Sequence, residues 1–173
     1  MKKLILLATC MALIACQPKP EEGPDNVALV TKIYDAFSQG DIETVLAGLT
    51  DDVEWNEAEN FIYHYGDPLI GKDAVVEGVF AKLGSEWEYW NLVDKSIRNV
   101  GDDAVLVTGR YQAKNKATGR LLDAQFAHVW TMRDTLASKF QQYTDTKQVE
   151  EVVDMDDDDD EMESETGMEE SAD

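Results

Sequence analysis

The sequence predicts an α+β domain in which N-terminal helices pack on a strongly curved, mainly antiparallel sheet. Apolar residues recur at helical spacing in the first half of the chain and alternate with a period of two in the second half. Helices followed by strands are typical of an antiparallel sheet with helices on one face. At 173 residues the chain is long enough for one hydrophobic core, and too short for two once its ends are removed.

Three helices are predicted before the main sheet. Asp25 and Asn26 are candidate N-caps of the first helix, and Gly40 is a typical residue just after its end. Asp41 caps a short second helix, and a third helix begins after Gly71. Their apolar faces contain Val27, Val30, Ile33, Tyr34 and Phe37, then Ile42, Val45, Leu46 and Leu49, then Val75, Val76, Val79, Phe80 and Leu83.

Alternating apolar residues in the second half of the domain predict four strands in an antiparallel meander. Turn-forming residues occur at Gly101-Asp102-Asp103 and at 115–119. The last hairpin passes through Asp134–Ser138 without a glycine, so we expect a loop longer than the two-residue primed type. The strands are predicted at about 92–100, 104–114, 121–132 and 139–144, after a brief strand at 53–56.

The N-terminus has the pattern of an exported protein. Lys2 and Lys3 precede an apolar run from residue 4 to 15, shorter than the roughly 20 residues of a membrane-spanning helix. The run ends in Leu13-Ile14-Ala15-Cys16, which resembles the lipobox of bacterial lipoproteins. This resemblance implies cleavage before Cys16 and attachment of lipid to its thiol. The alternative is an ordinary signal peptide cut nearby, which would leave a free thiol.

These features predict four segments and a place in the cell. Residues 1–15 are expected to be a signal peptide, 16–25 a lipidated tether, 26–148 the folded domain and 149–173 an acidic disordered tail. Gln17 follows the cysteine where an inner-membrane retention signal has Asp. The predicted location is therefore the cell envelope, lipid-anchored in the outer membrane and facing the periplasm.

Charge and cysteine content exclude several classes of function. The net charge is −21, and residues 149–173 hold 14 of the 36 acidic residues and no Lys or Arg. A nucleic-acid footprint would need a basic patch, so we expect no nucleic-acid partner. Cys10 leaves with the signal peptide and Cys16 is acylated, so disulfides and thiolate chemistry are excluded from the mature domain. The separation of His64 and His128 resembles no metal motif, and we expect neither a metal site nor a cofactor.

Six short phrases occur in a characteristic order along the domain. They are Tyr34–Asp41, Asp51–Trp55, Pro68–Lys72, Gly109–Tyr111, Ala127–Trp130 and Gln142–Thr146. Together they resemble the SnoaL-like group of the nuclear transport factor 2 (NTF2) superfamily over about residues 26–148. The resemblance implies a cone in which a bent sheet wraps around a long helix and leaves an apolar pocket open at one end. The superfamily includes ketosteroid isomerase, polyketide cyclases, limonene epoxide hydrolase, dehydratases and members without chemistry, so the fold does not define the activity.

His128 is the first candidate catalytic residue. Alternation along the strand 121–132 places it on the same side as the apolar Phe126 and Trp130. There it is either a satisfied core residue or part of the pocket wall. By strand position it is similar to the protonated Asp with which ketosteroid isomerase donates to the substrate oxyanion. The resemblance therefore implies a neutral imidazole donor.

The other isomerase residues match less well. Counting back from Gly40 places the isomerase's phenol donor on Ile33, and Tyr34 lies about 100° away around the helix. The general-base position falls near Glu57 by count. Steroid-isomerase activity is therefore not expected.

Asp145 is the second candidate catalytic residue. The resemblance to polyketide cyclases implies an acid/base Asp at this point on the pocket rim. Asp145 alternates with Tyr143 rather than with Gln142, and it precedes Thr146, so a helix cap is an equal alternative. If Asp145 faced the cavity with His128, the pair would be able to move a proton.

Aromatic side chains are concentrated in the domain. Each one alone is explained by core packing, but together they predict a cavity for a flat or ring-shaped apolar ligand. The predicted function is to bind a small, largely apolar molecule, with or without acid/base chemistry of the isomerase, cyclase or hydrolase type. The alternative is a non-catalytic interaction domain or homodimer that uses the convex face of the sheet. The predicted ligand-binding residues are Tyr34, Trp55, Phe80, Trp90, Tyr111, Phe126, Trp130 and Gln142.

Overall fold

The computed structural model describes residues 25–155. The predicted signal peptide, Cys16, the tether up to residue 24 and the tail from residue 156 lie outside the described residues. The helices are α1 (Asn26–Ser38), α2 (Ile42–Ala47), α3 (Lys72–Val75), α4 (Ala81–Glu86) and α5 (Thr146–Val153), with a π-helical turn (Val76–Phe80) joining α3 to α4. The strands are β1 (Leu49–Asn56), β2 (Leu69–Ile70), β3 (Trp87–Asn99), β4 (Ala104–Asn115), β5 (Leu121–Arg133) and β6 (Leu136–Thr144).

The predicted starts of α1 and α2 and the end of α1 are confirmed, whereas Leu49, predicted on the second helix, is the first residue of β1. Asp25 caps α1 by accepting from the N–H of Ala28, and Asp41 caps α2 by accepting from the N–H of Thr44. Gly40, between the two helices, has a φ of +71°, a conformation that favours glycine.

One six-stranded sheet runs in the order β2-β1-β6-β5-β4-β3. The predicted meander of β3 to β6 is confirmed, and all of its neighbouring pairs are antiparallel. β1 adds to the meander by pairing with β6 in parallel. β1 and β3 begin earlier than predicted, at Leu49 and Trp87.

The last hairpin corrects the prediction of a longer loop. β5 ends at Arg133 and β6 begins at Leu136, so only Asp134 and Thr135 form the turn. Asp134 has a φ of +58°. Asp tolerates this left-handed conformation better than most residues, and it takes the place of the glycine that the sequence lacks.

The predicted boundary between the domain and the acidic tail is wrong. Disorder was expected from residue 149, but α5 continues to Val153 and buries Val149 and Val152. Burial of this apolar pair, spaced i, i+3, offsets the entropy cost of ordering the helix, even though its neighbours are acidic. Within residues 25–155 no helix is both long and apolar enough to cross a membrane.

The core lies between α1, the α3–α4 region and one face of the sheet. Along β5 every second residue from Leu122 to Met132 is buried, which confirms the predicted alternation. The register places His128 between Val107 of β4 and Gln142 of β6. His128 therefore points inward among residues of three adjacent strands.

Candidate functional site

A cavity of about 60 Å³ lies between α1, the π-helical turn and the sheet. Its wall is mostly apolar, and its rim contains partly exposed side chains of Phe37, Phe80, Leu83 and Leu92. The polar or titratable side chains on the wall are Tyr34, Glu57, Tyr63, Tyr111, His128 and Gln142. The cavity is thus apolar with a few convergent polar groups, which is typical of small-molecule sites.

His128 is held between two tyrosine hydroxyls. The Tyr34 Oη lies 2.5 Å from Nδ1, and the Tyr111 Oη lies 2.5 Å from Nε2. Trp130 donates its indole N–H to the Tyr34 oxygen at 3.1 Å, and Gln142 donates an amide N–H to the Tyr111 oxygen at 3.0 Å. The hydrogen-bonded chain therefore runs from β5 through α1, back to β5, and on to β4 and β6.

Burial keeps the imidazole neutral. Only 3% of His128 is exposed, and its ring stacks on Phe126 with centroids 4.2 Å apart. Desolvation lowers the pKa of His128 to about 3, because the charged form loses its hydration there. Burial likewise raises the pKa of Tyr34 and of Tyr111 well above the usual range. All three groups are thus uncharged near neutral pH.

Glu57 is the acidic group of the cavity. It follows β1, is 5% exposed, and accepts a hydrogen bond at 2.7 Å from the Trp55 indole to its Oε1. Its other oxygen, Oε2, is buried without a hydrogen-bond partner among the described residues. Burial raises the pKa of Glu57 to about 7, although the Trp55 bond opposes that shift. A carboxyl group with this pKa exchanges protons readily near neutral pH.

Most of the predicted ligand-binding residues do line the cavity. Phe126 does not, because it stacks behind His128 and Tyr111. The cavity wall includes the other seven, Tyr34, Trp55, Phe80, Trp90, Tyr111, Trp130 and Gln142.

Asp145 lies outside this cavity. Its carboxylate caps α5, accepting from the backbone N–H of Gln148 at 3.2 Å and from the Gln148 side chain at 2.8 Å. These bonds with Gln148 lower the pKa of Asp145. The condition for pairing with His128 is therefore not met, and the cap alternative describes its position.

Two site features were only partly predicted from the sequence. Tyr34 was predicted as a ligand-binding residue, and it lines the cavity beside Ile33, but its hydrogen bond with His128 was not predicted. α1 packs against β3 and β4, and its neighbouring residues Ile33 and Tyr34 both reach the cavity. Glu57 was located only by counting, because the irregular segment after β1 has no period that gives a side-chain direction.

No group of three or more His, Cys, Asp or Glu side chains among residues 25–155 is placed to hold a metal ion. The polar side chains of the cavity wall can themselves provide proton transfer and hydrogen bonding to a ligand oxygen.

The fold and the cavity define an NTF2-like domain, a cone built from helices and a curved mixed sheet. The chain belongs to the SnoaL-like domain family, which matches residues 30–139. None of the curated proteins matches the chain.

Several solved structures are similar to this chain. An NTF2-like protein from Burkholderia thailandensis is 26% identical with a TM-score of 0.70, and the match covers 75% of this chain and 97% of that one. An NTF2-like protein of unknown function from Burkholderia pseudomallei is 25% identical with a TM-score of 0.67, covering 74% and 96%. TerC, co-crystallised with polyporic acid, is 28% identical with a TM-score of 0.65, covering 73% and 96%.

Proposed function

We propose that the domain is an acid/base enzyme that binds a small, largely apolar molecule and removes a proton from it with Glu57. The observation that carries this proposal is the unpartnered Oε2 of Glu57 on the wall of an apolar cavity. A buried polar atom without a partner is costly, and a ligand or water that binds to it removes that cost.

The phenols of the cavity support the same chemistry. Loss of a proton next to a carbonyl leaves negative charge on the carbonyl oxygen, which needs a hydrogen-bond donor. Tyr34 and Tyr111 are neutral phenols on the same wall as Glu57. A base and two hydrogen-bond donors thus share one largely apolar cavity.

The lining favours an uncharged ligand with a ring. Among the described residues that form the wall, none is Lys or Arg, so an anionic group would find no cation there. TerC, a similar protein, was co-crystallised with polyporic acid, which supports a ring in the ligand here, although that molecule is an acid. The cavity is small compared with the roughly 300 to 1,000 Å³ of typical ligand pockets. Entry therefore requires the rim side chains Phe37, Phe80 and Leu83 to move.

A test of the base uses 5-nitrobenzisoxazole, a neutral, flat probe. A base takes the proton from its ring carbon while the N–O bond breaks, and the product is a coloured nitrophenolate. We expect turnover that rises with pH through a midpoint near 7, as Glu57 loses its proton. Glu57→Gln should lower the rate by about a hundredfold or more. The matched control is Glu59→Gln, because Glu59 is exposed in the same segment.

The proposed base is rejected if Glu57→Gln retains the parent rate. It is also rejected if the rate shows no titration near pH 7. Circular dichroism of each variant separates loss of base from loss of fold.

We also propose that the domain acts at the cell envelope, tethered through lipid on Cys16. The support is the lipobox-like Leu13–Cys16 segment after a short apolar run. Expression of the full chain with labelled palmitate should give a labelled, membrane-associated protein, and Cys16→Ser should give neither. Equal labelling of both proteins would contradict the tether.

A further inference from the structure

The cluster of Tyr34, His128 and Tyr111 has one more proton than its internal bonds can use. Each tyrosine has one hydroxyl proton, and a neutral imidazole has one N–H. Two hydrogen bonds join the three groups, so they use two of the three protons. The third proton belongs to a hydroxyl and is free to point into the cavity.

The tautomer of His128 decides which tyrosine has that proton. With the proton on Nε2, the imidazole donates to Tyr111 and accepts from Tyr34, so the Tyr111 hydroxyl proton is free. With the proton on Nδ1, the imidazole donates to Tyr34 and accepts from Tyr111, so the Tyr34 hydroxyl proton is free. Both arrangements fit the same heavy-atom positions.

The remaining contacts do not select between the two arrangements. Trp130 donates to the Tyr34 oxygen, and Gln142 donates to the Tyr111 oxygen. Each tyrosine oxygen thus accepts one N–H from outside the cluster in either arrangement, at nearly equal distances of 3.1 and 3.0 Å. The preference between the two tautomers therefore depends on nearby charge and on the ligand.

Glu57 is the group that can make the choice. The titratable groups that face the cavity from the surrounding elements are Tyr34, Glu57, Tyr63, Tyr111 and His128. Tyr63 is already engaged, since it donates to Glu86 at 2.7 Å and accepts from the Trp87 indole at 2.9 Å. Of the other groups only Glu57 becomes charged near neutral pH. Its negative charge contributes to the raised pKa of Tyr111, so the two groups interact electrostatically.

We propose that His128 is a neutral tautomeric switch set by Glu57. When Glu57 is ionised, its negative charge attracts the hydroxyl proton of Tyr111, and the Nε2–H tautomer is favoured. When Glu57 is protonated, the preference falls, and the Nδ1–H tautomer frees the Tyr34 hydroxyl for an acceptor oxygen on the ligand. The inference deepens the proposed function and rests on it for the role of Glu57.

The switch is balanced in atoms and protons. Going from the first arrangement to the second, the Tyr34 proton moves to Nδ1 and the Nε2 proton moves to Tyr111. Tyr111 passes its own proton to a water or ligand hydroxyl in the cavity, and Tyr34 takes one from it. No charge is created, so the switch operates in a cavity that keeps imidazolium unstable.

The consequence is that His128 positions the donor rather than acting as the acid or base. Uptake of a proton by Glu57 shifts the population towards the arrangement in which the Tyr34 hydroxyl faces the ligand oxygen. Acid and base are thereby coupled through residues of α1, β4 and β5.

The test is nitrogen-15 NMR of the His128 ring in the folded domain between pH 5.5 and 8.5. We expect one protonated and one unprotonated ring nitrogen throughout. The Nε2–H to Nδ1–H ratio should rise by about tenfold with a midpoint near 7. In Glu57→Gln the ratio should stay at the low-pH value, and in Glu59→Gln it should titrate as in the parent.

Two protonated nitrogens near neutral pH would overturn the inference, as would a constant ratio in the parent or an unchanged titration in Glu57→Gln. The parent titration needs no variant, so poor folding of one variant does not weaken the test. If benzisoxazole turnover depends on Glu57 while the tautomer ratio stays constant, the switch fails and the base stands. If the ratio titrates but turnover is absent, the base fails and the switch stands.

Discussion

The indole N–H of Trp55 donates to Oε1 of Glu57 at 2.7 Å, two residues further along the chain. Trp55 is itself fixed by stacking on Phe140, with ring centroids 3.9 Å apart. A hydrogen bond to a carboxylate favours its charged form, whereas burial disfavours it. The pKa of Glu57, about 7, is thus a balance in which Trp55 acts against desolvation.

Trp55→Phe should therefore make Glu57 a weaker acid. Hydrogen bonds to charged groups contribute about 1.5 to 3 kcal/mol, so the pKa should rise by about one to two units. The measurement is the pH midpoint of benzisoxazole turnover. Trp90→Phe is the control, because Trp90 also lines the cavity but does not donate to Glu57. An unchanged midpoint in Trp55→Phe would show that the indole bond does not tune the carboxyl.

Glu57→Gln should stabilise the fold above neutral pH. The pKa of Glu57 is about 7 in the folded state against 4.5 as its ordinary value, so the unfolded chain releases the proton first as pH rises. The parent then loses stability between about pH 4.5 and 7, whereas an uncharged amide does not. Relative to the parent, the variant should gain about 3 kcal/mol in free energy of unfolding between pH 4.5 and 8.

Urea denaturation at both pH values measures this difference. Glu59→Gln tests whether any glutamate of the segment would behave alike. A difference between Glu57→Gln and the parent that is the same at both pH values would mean that Glu57 is not held protonated by burial.

The parts of the site on regular strands were predictable, because a strand has a fixed period of two. Alternation placed His128 inward, and the structure confirms it. The direction of Glu57 was not predictable, since it follows the end of β1 in an irregular segment. Tyr34 was predicted to line the cavity and does, but its bond with His128 was not predicted, because a count along one helix gives an angle and not the distance to the sheet.

The caps and turns of the fold show the same division. The caps Asp25 and Asp41 were predicted correctly, because their side chains bond to nearby N–H groups within the same segment. The Asp134 turn and the end of α5 depend on positive φ at a non-glycine residue and on burial of Val149 against other elements. Charge composition alone therefore placed the tail too early.

His128 should make the fold sensitive to acid. Its pKa is about 3 when folded against an ordinary 6.5, so only the unfolded chain takes up this proton as pH falls below about 6.5. His128→Gln keeps an acceptor and a donor for the two tyrosines but cannot titrate. The stability advantage of the parent over this variant should shrink by about 3 kcal/mol between pH 7 and 4.

Denaturant midpoints at the two pH values provide the measurement. His64→Gln removes the other histidine of the described residues, outside the cavity, and is the matched control. A constant difference between parent and His128→Gln would contradict a buried neutral imidazole.

Asp145→Ala should lower stability without affecting turnover. Asp145 accepts two hydrogen bonds from Gln148 at the start of α5, and loss of an N-cap costs about 1 kcal/mol. Asp145→Asn should retain most of that stability, because an amide oxygen also accepts from the helix N–H groups. Asp41→Ala gives a comparison, since Asp41 caps α2 through one bond to the Thr44 N–H. If Asp145→Ala and Asp145→Asn both reduced benzisoxazole turnover at unchanged stability, the carboxylate would have a chemical role that its position outside the cavity does not explain.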